Sequence, residues 1–169
     1  AYTLDIAPDH IQIGSSTCGG VFNGLQQLFR LLPPEVYARR GIAPGTGIAC
    51  ARIEDKPRFG YRGMMLDVAR TWIGMDEVKR YIDLFSYHNI NKLHLHLSDD
   101  EGWRIEIRSH PELTEIGGFR GGDSPVRPVY GKWSEKYGGY FKQSEMRELI
   151  RYAALRNIEI CLLYTSPSP

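Results

Sequence analysis

The sequence predicts an α/β protein with a parallel sheet, preceded by a small α+β unit. Strand-like and helix-like segments alternate from about residue 55 to residue 160, and this rhythm is typical of right-handed β–α–β units. The segment before it holds short strands around one helix and a Gly/Pro-rich connection. We therefore predict part of an α+β accessory domain over residues 1–54 and the N-terminal part of a larger α/β domain over residues 55–160.

Each element of the first unit has its own signal in the sequence. Residues 2–6 and 11–13 alternate in polarity around a Pro-Asp turn, which predicts two short strands. Residues 19–32 predict an amphipathic helix that ends at a Pro-Pro pair. Its apolar residues recur at helical spacing and are Phe22, Leu25, Leu28, Phe29 and Leu32. Residues 48–53 predict a further strand.

The α/β segment reads as three strands separated by two helices. The predicted strands are 61–68, 90–97 and 158–160, and the predicted helices are 76–88 and 144–156. The first helix carries acidic residues in its first turn, where the helix dipole favours them, and Ser144 is the predicted cap of the second. The segment of residues 108–143 is too long for a simple connection between two elements and is rich in Gly, Pro and aromatic residues. This predicts a functional loop region.

Composition excludes several classes of protein. The 169 residues carry 21 Lys and Arg against 20 Asp and Glu, without the strongly basic character of nucleic-acid binders. No apolar run approaches the roughly 18–20 residues that span a bilayer. Cys18, Cys50 and Cys161 have no C-x-x-C spacing and are predicted to be buried free thiols. The chain begins at Ala1 without Met or a leader pattern, so we expect the native N-terminus upstream and predict no compartment.

The most informative segment is NKLHLHLSDDEGW, residues 91–103. Alternation along a strand places His94 and His96 on the face opposite the leucines. Asp99 and Asp100 follow at the carboxyl end of the strand, where parallel α/β folds bind ligands. The spacing leaves two interpretations open: a functional site, or a polar interior layer followed by acidic turn caps.

The preceding strand ends in a comparable way, with Asp67 and Arg70. An Arg fork suits vicinal hydroxyls or carboxylates, but an Asp–Arg ion pair that only holds two strand ends together fits equally well. Aromatic residues in and near the loops predict either a sugar-binding wall or anchors for a long loop. They are Trp72, Trp103, Tyr130, Trp133 and Tyr137.

Several motifs in order resemble the β-N-acetylhexosaminidases of glycoside hydrolase family 20. They are PRFGYRGMMLDVAR (57–70), HLHLSDDEGWRIEI (94–107), ELTEIG (112–117), YGGYFKQSEMR (137–147) and RNIEI (156–160). GGVFNGLQQLFRLL (19–32) is similar, less specifically, to the helix of the accessory domain that precedes the barrel in this family.

The resemblance implies a (β/α)8 barrel that removes terminal N-acetylglucosamine or N-acetylgalactosamine from β-linked glycans, including chitooligosaccharides. The family mechanism is substrate-assisted, with retention, and needs no cofactor or metal. By position, Arg70 matches an arginine that binds hydroxyls of the terminal sugar, and Asp99 lies in or just behind the sugar pocket. His96 and Asp67 match residues that lie behind Arg70 and Asp99 and do not themselves contact the sugar.

The departures from the family pattern predict an incomplete chain. The catalytic Asp-Glu pair of the family belongs to a later strand, so no catalytic residue is assigned here, and 99–101 is not that pair. Residues 161–169 do not match the family's continuation and are predicted to be a non-native tail. A barrel of this class needs about 250 residues. We therefore expect an inactive fragment.

Two other functions stay open on the sequence. A metal-dependent barrel hydrolase would use His94 and His96 as ligands. A non-catalytic carbohydrate-binding module would share the fold but lack the catalytic pair.

Overall fold

A computed structural model describes residues 1–37, 45, 47–126 and 134–163. Contacts divide the chain into two units, residues 1–60 with 87–89 and residues 61–86 with 90–169.

The first unit is a three-stranded antiparallel sheet with one helix. Strands β1 (Tyr2–Ile6) and β2 (Ile11–Gly14) precede helix α1 (Cys18–Arg30), a 3-10 turn (Pro34–Val36) and strand β3 (Ala51–Asp55). The sheet order is β2-β1-β3. The small core comes from alternate residues of the central strand: Tyr2, Leu4 and Ile6.

Helix α1 is confirmed, but only part of its apolar stripe faces the sheet, where Leu28 packs against the small core. Leu25 and Phe29 are exposed, whereas the buried residues of the helix are Gly20, Asn23, Gly24 and Gln26. Close packing explains this arrangement: a Cβ added at Gly24 would lie 2.6 Å from Ile13 Cγ2. The helix therefore approaches the sheet on its glycine side, since larger side chains would hold it away.

The second unit contains a parallel sheet, as predicted. Its elements are β4 (Gly63–Asp67), α2 (Met75–Tyr87), β5 (Lys92–His96), β6 (Ser98–Asp99), β7 (Gly102–Trp103), α3 (Glu112–Glu115), β8 (Phe119–Arg120), β9 (Tyr137–Gly138), α4 (Gln143–Ala154) and β10 (Glu159–Leu163). The sheet order is β10-β5-β4, and both pairings are parallel. The mixed α/β class with helical crossovers is confirmed for this part of the chain.

The two faces of this sheet differ in chemistry. Leu93 and Leu95 are fully buried in one core with the apolar residues of α2 and α4. The opposite face carries rows of side chains in register across the strands. Lys92 pairs with Glu159 at the amino end of the strands, and His96 lies beside Asp67 at the carboxyl end.

Helix α4 begins one residue before the predicted cap. Ser144 is not the N-cap; the helix starts at Gln143 after Lys142. The Lys142 N–H donates to the Glu145 carboxylate at 2.7 Å, and the Gln143 N–H donates to the Glu106 carboxylate at 2.9 Å. Carboxylates on both sides satisfy these free N–H groups, so a serine hydroxyl is not needed there.

The predicted loop region of residues 108–143 has regular structure in its described parts, namely α3 and the β8–β9 pair. Tyr130 and Trp133, predicted as part of a sugar-binding wall or as loop anchors, lie outside the described residues. Of the predicted tail, residues 161–163 belong to β10, and residues 164–169 lie outside the described part of the chain.

The prediction of buried cysteines is wrong for all three. Cys18 and Cys50 are free and exposed, and Cys161 is free and half-buried. Cys18 opens α1 at the surface, and Cys50 lies just before β3. Among the described residues, no helix is long and apolar enough to cross a membrane.

Candidate functional site

The candidate site lies at the carboxyl ends of β4 and β5. These strands are parallel neighbours, and the register places Asp67, the last residue of β4, beside His96, the last residue of β5. Parallel α/β folds bind ligands at this edge because loops from adjacent strands converge there.

A tight turn after β4 carries Arg70 into the site. The N–H groups of Val68 and Ala69 both donate to His96 O at 3.2 Å, and the Arg70 N–H donates to Asp67 Oδ1 at 3.0 Å. Val68 and Ala69 are fully buried. The turn is thus fixed by the neighbouring strand and by the carboxylate at its own start.

The Arg70 guanidinium bridges two carboxylates. Its Nη1 lies 2.6 Å from Asp67 Oδ2, and its Nη2 lies 2.8 Å from Asp99 Oδ2. His96 Nε2 is hydrogen-bonded to the same Asp99 oxygen at 2.9 Å. The structure therefore brings together all four residues that the sequence predicted for the site.

A short hairpin holds Asp99 in place. Strands β6 and β7 pair across the two-residue turn of Asp100 and Glu101, and the Asp100 N–H donates to Asp99 Oδ1 at 2.8 Å. Of the two predicted aspartates, Asp99 enters the cluster, whereas Asp100 is exposed.

Electrostatics favour the charged form of Asp67. Burial acts to raise the pKa of Asp67, but hydrogen bonds from the Arg70 backbone and guanidinium outweigh it, and the pKa lies below its usual value. Arg70 keeps 45% of its side chain exposed, against 17% for Asp99. Guanidinium donors and carboxylate acceptors side by side can bind a pair of vicinal hydroxyls.

The sequence did not predict a role for Arg104, whose buried guanidinium contacts the turn that carries Arg70. Arg104 is fully buried, and its guanidinium donates to backbone carbonyls on several segments. Burial, followed by repulsion from Arg120, lowers its pKa to about 10, so the group stays charged at neutral pH.

A buried ion pair, also missed, lies beside Arg104. Arg120 pairs with Glu101, and both side chains are almost fully buried. The Arg120 guanidinium also lies 5.1 Å from the centre of the Tyr137 ring, and the Tyr137 hydroxyl donates to Trp72 O at 2.7 Å. The aromatic residues Trp72 and Tyr137 thus anchor the loop in this structure. The sequence of this loop has no regular spacing from which the pairing of Arg120 with Glu101 could be predicted.

The metal alternative has no third ligand in the described residues. His94 lies one row further from the carboxyl ends than His96, in register with Met65 and Cys161. Within residues 1–37, 45, 47–126 and 134–163, no group of three or more His, Cys, Asp or Glu could hold a metal ion.

Comparison with known proteins decides the family. The catalytic-domain model of glycosyl hydrolase family 20 matches residues 59–168, which include the whole cluster. The chain belongs to glycosyl hydrolase family 20. The resemblance drawn from the sequence motifs is therefore confirmed.

Relatives within family 20 are longer than this chain. A beta-hexosaminidase of Vibrio furnissii is 41% identical over 162 residues, covering 95% of this chain and 25% of that protein. A beta-hexosaminidase of Porphyromonas gingivalis is 36% identical over 151 residues, covering 89% of this chain and 18% of that protein. The chain thus spans about a quarter or less of these two relatives.

Solved structures of the family share the fold of this chain. The exo-β-N-acetylglucosaminidase of Vibrio harveyi in complex with N-acetylglucosamine superposes with a TM-score of 0.87 at 40% identity, covering 95% of this chain and 24% of that one. The N-acetyl-β-hexosaminidase of Streptomyces plicatus gives 0.83 at 44% identity, covering 95% and 30%.

Proposed function

We propose that this chain is part of a β-N-acetylhexosaminidase that removes terminal N-acetylglucosamine or N-acetylgalactosamine from β-linked glycans such as chitooligosaccharides. The observation that carries the proposal is the bridge of Arg70 between Asp67 and Asp99, within the segment that matches the catalytic domain. In this proposal the three parallel strands are the first part of a (β/α)8 barrel and residues 1–54 are part of an accessory domain.

Within this proposal, the cluster binds the non-reducing sugar. Arg70 donates to sugar hydroxyls from its exposed edge, while Asp67 fixes the guanidinium plane through Nη1. Asp99 accepts from a hydroxyl or orients the catalytic acid, and His96 holds the Asp99 carboxylate from behind. Because these groups are already hydrogen-bonded to each other, binding requires little further ordering.

The bond-breaking step needs groups from a later strand. In the proposed mechanism the substrate's own acetamido oxygen attacks the anomeric carbon, an Asp orients the acetamido group, and a Glu protonates the leaving oxygen. Neither residue is assigned in residues 1–169, so we propose that this chain alone turns over no substrate.

The test uses the full-length protein with an aryl N-acetyl-β-glucosaminide. We expect hydrolysis, and we expect Arg70→Ala to lower kcat/KM by about 100-fold, since charged hydrogen bonds to the sugar are lost. Arg80→Ala is the matched control, because Arg80 is an exposed arginine that pairs with Glu77 within α2. We expect its kinetics to equal those of the wild type.

Other outcomes identify the other functions. Binding of N-acetylglucosamine without hydrolysis by the full-length protein would indicate a carbohydrate-binding module. Loss of activity on chelation, restored by zinc, would indicate the metal-dependent hydrolase. Turnover by the purified 169-residue chain would contradict the proposed division of the site.

A further inference from the structure

Arg104 is a buried cation whose hydrogen bonds end on the backbone. Its guanidinium donates to the carbonyls of Val68, Ala69, Glu101, Gly118 and Gly139. Buried arginines cost considerable desolvation energy unless they are fully hydrogen-bonded. An arginine in this place therefore has to contribute something that an apolar side chain of similar size could not.

Two of these carbonyls belong to the turn that carries Arg70. Arg104 Nε donates to Val68 O at 3.0 Å, and its Nη2 donates to Ala69 O at 2.8 Å. The N–H groups of the same two residues are already bonded to His96 O. Val68 and Ala69 are therefore each held at both backbone polar groups, the N–H by the neighbouring strand and the carbonyl by the buried guanidinium.

The remaining carbonyls tie the turn to the rest of the site. Nη2 also donates to Glu101 O at 3.3 Å, in the hairpin that presents Asp99. Nη1 donates to Gly118 O and, at 3.1 Å, to Gly139 O, next to the paired strands β8 and β9. One planar group thus fixes the distance between the loop of Arg70 and the loop of Asp99.

We propose that Arg104 is a positioning residue for sugar recognition, acting through Arg70 and Asp99 without contacting the sugar. This inference rests on the proposed function. Five N–H donors in a rigid fork satisfy carbonyls from four segments, whereas a lysine ammonium offers three donors on a flexible stem. Arg104→Lys keeps the charge but leaves carbonyls unsatisfied and releases the turn.

The kinetics of Arg104→Lys in the full-length protein separate positioning from simple structural support. A displaced Arg70 weakens sugar binding, and small misplacements at a site cost up to about 100-fold. We expect KM to rise about 10-fold or more, with a smaller change in kcat. A purely structural residue would lower the amount of active enzyme and leave KM unchanged.

A double-mutant cycle tests whether the effect runs through Arg70. In the Arg70→Ala background we expect Arg104→Lys to raise KM by less than about 3-fold, because the group that it positions is already gone. Equal KM effects in both backgrounds, or no KM effect in the wild type, would overturn the inference.

Ile82→Val is the control for loss of stability alone. Ile82 is a fully buried core residue of α2 and is not one of the residues that form the site, so this change lowers the melting temperature by a few degrees. We expect its KM to equal that of the wild type. If Arg70→Ala itself leaves the kinetics unchanged, the proposed function fails; if only the cycle is additive, the role of Arg104 fails.

Wild-type hydrogen exchange provides the test should Arg104→Lys not fold. We expect the amides of residues 68–70 to exchange slowly without sugar, with little further protection when N-acetylglucosamine is added. Fast exchange that slows only with the sugar would overturn the inference, because the turn would then be ordered by its ligand.

Discussion

Asp67 acts on Arg70 through two different oxygens. Oδ1 accepts the backbone N–H of Arg70 and Oδ2 accepts its guanidinium. This double contact overcomes the effect of burial and lowers the pKa of Asp67. The same carboxylate thus shapes the turn and aims the side chain that the turn carries.

Asp67→Asn in the full-length protein is expected to lower the free energy of unfolding by about 1–2 kcal/mol at neutral pH. An amide accepts from the Arg70 N–H, but its NH2 group faces a second donor, Arg70 Nη1. The stabilisation from an aspartate with a lowered native pKa is present above about pH 4 and is lost as pH falls through that native pKa.

The measurement is the difference in unfolding midpoint between the wild type and Asp67→Asn from pH 7 to pH 3. We expect this difference to be constant down to about pH 4 and to shrink below it. A difference that stays constant to pH 3, or grows as the pH falls, would contradict this role of the Asp67 charge. Asp9→Asn provides a surface control, since that side chain is 83% exposed.

Alternation and position pointed to the two parallel strand ends that carry Asp67, Arg70, His96 and Asp99, but a purely structural interpretation stayed open. The resemblance to family 20 selected His96 over His94 and Asp99 over Asp100. Arg104 could not be found in this way. After Trp103, polar and apolar residues alternate, and Arg104 and Glu106 occupy the polar positions. This pattern predicts that the Arg104 side chain points to solvent. Its burial depends on carbonyls from segments up to 36 residues away in the sequence, and no local pattern carries that information.

At the scale of elements, the longer helices and strands were predicted within a few residues, because each has strong periodicity and clear breakers. The short elements β6 to β9 and α3 were not predicted. Their ends and contact faces were less predictable. The start of α4 depends on Glu106, a carboxylate 37 residues earlier in the chain. The buried face of α1 depends on the shape of the sheet beneath it, which favours glycine over leucine.

Gly24→Ala is expected to destabilise the first unit although alanine is the better helix former. The intrinsic gain is about 1 kcal/mol, but the new Cβ would lie 2.6 Å from Ile13 Cγ2 and 3.1 Å from the Tyr2 ring. Overpacking of this kind costs about 1–3 kcal/mol. We expect a net loss measured by chemical unfolding of the full-length protein.

Gly47→Ala is the matched control for that substitution, because no atom of the described residues lies within 4 Å of a Cβ at Gly47. We expect it to leave stability unchanged or slightly increased. A Gly24→Ala variant as stable as Gly47→Ala would show that α1 moves freely on its sheet.

At the scale of the whole molecule, the parallel sheet is covered on one face. Leu93 and Leu95 lie under α2 and α4, while on the other face Met65 is 56% exposed. Among the described residues, β4 and β10 each pair only with β5. Parallel sheets are normally covered on both faces, and open edges invite pairing with other chains.

The 169-residue chain in isolation is therefore expected to self-associate. Sedimentation velocity over a range of concentrations measures this, and we expect species larger than the 19.3 kDa monomer. Met65→Lys places a charge on the exposed face and is expected to reduce the association. A soluble monomer with one cooperative thermal transition would contradict the prediction.

The turn between Asp67 and Arg70 has a consequence for how this region can change over time. Five backbone groups of Val68, Ala69 and Arg70 have fixed partners, on His96, Arg104 and Asp67. A substitution alters one side chain, but an insertion or deletion shifts every one of these partners at once. We therefore expect natural variants of this protein to differ in the residues of the neighbouring loops. The number of residues in this turn should stay constant.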